Sequence, residues 1–258
     1  MLHRATLATI IGFSIALPLA AGTPGRDSSP TIASPAAAAA SACATSAGAA
    51  PSIVPPDKEN YQGLDYAGWA ALWWQWAWSI PDGPRHPFNC TATGADLLQN
   101  QAGHVWFLVG TFGACARDIT IPKGTALFFP IGNGECSTLE GPCTPGPGCF
   151  FGTDAPSLSR CAAIYGDFVQ DQAPTAVIDG KSVGHLERYR VQTPMFPFGP
   201  LPSPPIFVPP SYAGRTGQSV DAGTYLLLEP LSVGQHSIHF TAYNPGGIDT
   251  SYCVTVVP

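Results

Sequence analysis

Just behind His3-Arg4 the chain carries an apolar run, Ala5 to Ala21, that leaves through Leu19-Ala20-Ala21-Gly22. A basic start, an apolar centre and a small-residue exit predict a secretory signal peptide over residues 1–21. The run is short for a bilayer span and Pro18 interrupts it, so no transmembrane segment is expected in the mature chain. Residues 22–57 show no period at all. Their Pro, Ala and Ser content is too poor in large apolar groups to bury a core, and they read as a linker. A strong pattern follows. Trp69, Trp73, Trp76 and Ile80 recur at spacings of three and four, and Ala70, Trp74 and Trp78 form a second stripe. With Asp65 to cap it and Pro81 to stop it, this predicts a helix over residues 65–80. Such a helix is apolar around most of its circumference and must be covered on several sides. Core packing is the expected fate of its tryptophans, with Trp74 the candidate for a flat stacking face if one is exposed.

After Pro81 the pattern turns to strands and turns. His104–Phe112 is β-branched and aromatic with both faces apolar, as in a doubly buried strand. Residues 119–131 read as two short strands around Pro122-Lys123-Gly124, and Asp179-Gly180 between 176–178 and 181–183 is a hairpin signal. Tyr189–Thr193 is a further strand. Residues 194–210 hold eight prolines interleaved with Phe196, Phe198 and Phe207. Proline cannot donate to a ladder, so this segment is an extended surface loop whose aromatics fold down onto the domain, with Phe196 and Phe198 as candidate binding groups. Closing strands are expected near 223–229, 235–243 and 250–257. The fold class is therefore all-β, mainly an antiparallel sandwich, with one N-terminal Trp-rich helix in a single domain over residues 58–258.

Composition sharpens this picture. Charged residues make up 11% of the 258, while Gly and Pro number 28 each, which suits a turn-rich β protein better than a helical bundle. A formal net charge of −6 argues against nucleic acid and anionic lipid as partners, because both require a basic patch. Eight cysteines behind an export signal are expected as disulfides. The loop from Gly132 to Ser159 has few apolar residues, so covalent closure is expected to hold it. The favoured pairings are Cys143 with Cys149 and Cys136 with Cys161, and Cys90 would then join Cys115. Cys43 lies in the linker. No Leu precedes it and it stands far from the N-terminus, so a role pinning the linker to the domain is favoured over lipidation.

Four segments carry a resemblance: Trp73-Trp-Gln-Trp-Ala-Trp-Ser-Ile-Pro81, Gln101 to Gly113, Ile121 to Ile131 and Leu231 to Phe240. Together they resemble a group of exported bacterial proteins with no assigned activity. The likeness covers most of residues 60–258; it implies one exported domain and carries over no catalytic residue. The closing strands also look like the end of an immunoglobulin-like sandwich, an analogy of fold alone.

Catalytic patterns are sparse. His236 and His239 stand three apart on an expected strand, which sends them to opposite faces and argues against a shared metal. His239 lies on the polar face and is a candidate binding residue. No metal or other cofactor is expected, and neither a Gly-x-Ser-x-Gly elbow nor a phosphate-cradling loop occurs. Five glutamates are present. Glu135 follows an apolar strand into a Gly-Asn-Gly stretch, and Glu229 ends Tyr-Leu-Leu-Leu; these two are the candidate acid–base pair. Two functions remain: an exported binding module for extracellular glycan or a surface protein, which is preferred, and a small secreted hydrolase of glycosidic bonds.

Overall fold

The cap and stop signals around the tryptophans operate as the sequence dictates. Helix α1 spans Tyr66–Trp78, and the Asp65 carboxylate accepts from the Gly68 N–H at its start. Its indoles are sewn to the chain around it: Trp69 donates to the Tyr61 carbonyl, Trp73 to Leu108 and Trp76 to Gln99, at 2.8–2.9 Å. All five tryptophans of the helix are buried. The computed structural model describes Cys43 and residues 51–57, 60–143, 148–243 and 247–258; residues 1–21, expected as a signal peptide, and most of the expected linker over 22–57 lie outside the described residues.

Two mixed sheets form the body, and the strands are β1 (Val105–Phe107), β2 (Gly113–Pro122), β3 (Ala126–Ser137), β4 (Thr175–Ile178), β5 (Lys181–Ser182), β6 (Arg190–Gln192), β7 (Phe196–Phe198), β8 (Gly217–Leu228), β9 (Gly234–Ala242) and β10 (Ile248–Val257). The first sheet runs β1-β3-β8-β6, with β7 also on β8; the second runs β2-β10-β9-β4-β5. Most pairs are antiparallel, but β1 with β3 and β2 with β10 are parallel, so the expected antiparallel sandwich is only part of the architecture. β2 and β3 flank one turn and go to different sheets. Asp179 and Gly180 both adopt positive φ at the turn between β4 and β5, as a tight hairpin requires.

Side-chain alternation divides the core. Phe128, Tyr225 and Leu227 face α1, together with Phe196 and Phe198. Leu127, Phe129, Ile131, Leu226 and Leu228 face the second sheet, against Ile238, Phe240 and Tyr252. A second long helix, α3 (Ala155–Asp171), packs Leu158, Cys161 and Ala162 onto Cys136, Val220 and Ala222; the short helix α2 (Gly94–Leu97) precedes it in the chain. The sequence reading assigns residues 132–159 to a disulfide-closed loop and no element to 160–171, yet Asp154 caps α3 through a reciprocal bond with Ser157 and Pro156 sits in its first turn, which is where proline is tolerated. Gly134 of β3 is required here, because a Cβ would collide with Tyr165 of α3.

Four disulfides close the chain: Cys43–Cys253, Cys90–Cys115, Cys136–Cys161 and Cys143–Cys149. They fit an oxidising compartment. Among the described residues no helix is long and apolar enough to cross a membrane. The last part of the assigned linker is integral to the fold. Val54 is buried and donates to the Leu227 carbonyl, Glu229 donates to Ser52, and Ile53 bridges Leu228. The domain therefore starts before residue 58.

Candidate functional site

Register brings three acids together on the α1 face of the first sheet. Glu135 of β3 stands directly opposite Asp221 of β8, and Glu140 folds back from the loop after β3. Asp221 accepts from Tyr225 Oη at 2.7 Å and from Asn133 Nδ2 at 3.2 Å, and Asn133 also donates to Tyr225 Oη. Glu135 accepts from Ser219 Oγ. Glu140 accepts from the Ser137 N–H and hydroxyl, both at 3.1 Å.

Burial dominates the electrostatics. Asp221 is 0% and Glu135 4% exposed, and among the described residues no Lys, Arg or His bonds to either one or to Glu140. Desolvation pushes Asp221 and Glu140 up to about 7 against the hydrogen bonds that favour their ionised forms. Glu135 is raised well above its ordinary value, first by burial and then by the Glu140 and Asp221 charges. The Trp74 indole N–H faces Asp221 and Tyr225 yet completes no hydrogen bond of good geometry, and the Trp78 N–H is likewise unpartnered. Phe207 of the Pro-rich loop packs on both indoles. Glu135 and Asp221 are thus buried in this conformation, while Glu140 is partly exposed.

An open concavity lies elsewhere. A groove of about 600 Å³ is lined by Pro56, Asp57, Asp65, Tyr66 and Ala67 on one side and by Arg188, Arg190, Val191 and Gln192 on the other. Arg190 is paired with Asp167. The Arg188 guanidinium makes no hydrogen bond or ion pair among the described residues. The groove presents charge on both walls and no exposed aromatic face, since Tyr66 is 4% exposed.

The structure separates the sequence-derived candidates. Glu135 and Trp74 meet at the carboxyl cluster, and Phe196 and Phe198 lie buried near it in the core under α1. Glu229 sits at the far end of β8 beside Ser52 and Tyr61, so it does not pair with Glu135. His239 bonds Asp249 at 2.8 Å on the outer face of the second sheet, while His236 is buried against Asp179. Asp221, Glu140, Arg188 and Asp57 were not singled out. No local signal marks Asp221, because its partner Glu135 is 86 residues away and only strand register joins them. Among the described residues no group of His, Cys, Asp or Glu has metal-binding geometry.

No protein-family model matches the chain, and no curated protein is found similar to it. Among solved structures, the solution structure of amebosin aligns with 60% of this chain and all of its own at 13% identity. Its TM-score of 0.21 carries no argument about fold or function.

Proposed function

We propose that this is an exported interaction module that holds an extracellular ligand in the groove between β6 and the start of α1. One observation carries the reading: the groove is open and charged on both walls, whereas Glu135 and Asp221, the carboxyls that face each other across the sheet, are buried. The four disulfides support export. The sandwich likeness of the closing strands is an analogy and adds nothing to function. A second reading, hydrolysis of glycosidic bonds, has one observation in its favour, namely Glu135 facing Asp221 across adjacent strands with carboxyls of raised proton affinity.

Both readings meet one experiment. The disulfide-bonded mature domain is applied to a glycan array and to a displayed peptide library, and release of reducing ends from the glycans is followed in parallel. The binding reading expects a ligand whose affinity falls at least tenfold in Arg188→Glu, with no reducing ends released. Release that disappears in Glu135→Gln would establish the hydrolase instead. Ligands indifferent to Arg188→Glu, or none from either source, would remove the groove from the account.

A further inference from the structure

The lining of the groove identifies how a ligand would lie in it. Side chains alternate along a strand, so a cavity on one face of β6 would touch every second residue. This groove touches Arg190, Val191 and Gln192 in succession and therefore runs along the edge of the strand. β6 is the terminal strand of its sheet. Val191 is opposite Gly223, and the Thr193 N–H donates to the Asp221 carbonyl. In an antiparallel ladder this register points the backbone groups of residues 191 and 193 at β8 and those of 190 and 192 outward. The Arg190 N–H bonds back to the Glu187 carbonyl. The Arg190 carbonyl and both backbone groups of Gln192 remain directed into the groove.

Resting on the binding reading above, we propose that the occupant is an extended peptide segment of a partner protein, added to the sheet as a strand beside β6. Main-chain bonds to residues 190 and 192 set its register. The charged walls set its sequence: an acidic side chain facing Arg188, and a basic one facing Asp57 and Asp65. A glycan fits less well, because no aromatic face is exposed in the groove for a sugar ring to stack on. A second copy of this chain pairing through the same edge is the competing occupant, and the sedimentation arm of the test below separates it.

The test uses a random 12-residue peptide library displayed on phage and selected on the intact disulfide-bonded domain. Selected peptides are then synthesised and measured by fluorescence polarisation. Strand addition predicts at least a tenfold loss of affinity when alternate peptide amides are N-methylated, a change that leaves the protein untouched. It predicts a comparable loss for Gln192→Pro, which deletes an outward N–H and no ladder bond. The melting temperature of that variant is measured to confirm that it folds. Peptides tolerant of N-methylation would overturn strand addition while leaving the groove reading intact if Arg188→Glu still weakens them. Glycan binding that is sensitive to Arg188→Glu, with no peptide selected, would likewise sink the peptide assignment alone. A dimer in sedimentation that Gln192→Pro dissociates would replace the partner by a second copy.

Discussion

Asp221 makes stability depend on pH in an unusual direction. Its folded-state value is raised from 3.8 to about 7, so the folded chain binds a proton more tightly than the unfolded one. The contribution is fully present below the unfolded value and is lost as pH rises through the folded one. A rise of that size corresponds to about 4 kcal/mol between pH ~4 and pH ~7, a large share of a typical 5–15 kcal/mol total. Glu140, also raised to about 7, acts in the same sense. His86, held neutral by burial, acts in the opposite sense below its ordinary range, so the wild-type profile alone is ambiguous. Asp221→Asn isolates the effect, because Asn keeps the shape and does not titrate. Urea unfolding followed by tryptophan fluorescence, with disulfides intact, is to be run at pH 5, 6, 7 and 8. The drop in unfolding free energy from pH 5 to pH 8 should be smaller in the variant by up to about 2.5 kcal/mol, the part of the linkage that falls inside this window, with unchanged m-values. Equal pH profiles for wild type and Asp221→Asn would refute a buried, raised Asp221.

Further outcomes follow from packing and covalent closure. Trp73→Ala removes a side chain 1% exposed and the donor to Leu108, and should cost about 3–5 kcal/mol in the same urea assay. Trp74→Phe deletes an indole N–H that lacks a partner and should cost less than half as much, because no hydrogen bond is lost. A chain starting at residue 51 should be more stable than one starting at 58 by about 2–4 kcal/mol, since the shorter one loses buried Val54 and its bond to Leu227. Breaking Cys43–Cys253 with paired serines opens a closure of sequence separation 210 and should lower stability by about 2–5 kcal/mol, read as a lower urea midpoint.

The parts of this fold that were legible in the sequence are those whose signals are local. The Trp69–Ile80 spacing, the Asp65 cap and the Pro81 stop define α1 within one short window. Asp179-Gly180 names its own turn. Cysteine spacing within a Gly/Pro-rich stretch was enough for the short disulfides, and odd spacing on a strand was enough to part His236 from His239. α3 was obscured because Cys161 was read as a staple of the preceding loop, although Leu158, Cys161, Ala162, Tyr165 and Val169 carry a helical period. What was not legible depends on distant pairing. Ile53 and Val54 become part of a sheet only by meeting Leu227 and Leu228, and the parallel β2–β10 pair joins strands at opposite ends of the domain's sequence. The same holds for the sites: Glu135 acquires Asp221 through register, and Arg188 faces Asp57 across a gap of some 130 residues.

The central claim places function in the open groove and not at the buried Glu135–Asp221 pair. Hydrogen–deuterium exchange of the mature domain, with and without the ligand selected above, tests it directly. The groove account predicts new protection confined to residues 53–67 and 188–192, with exchange at 133–140 and 217–225 unchanged. Protection appearing at 133–140 and 217–225 instead, with the β6 edge unaffected, would contradict it.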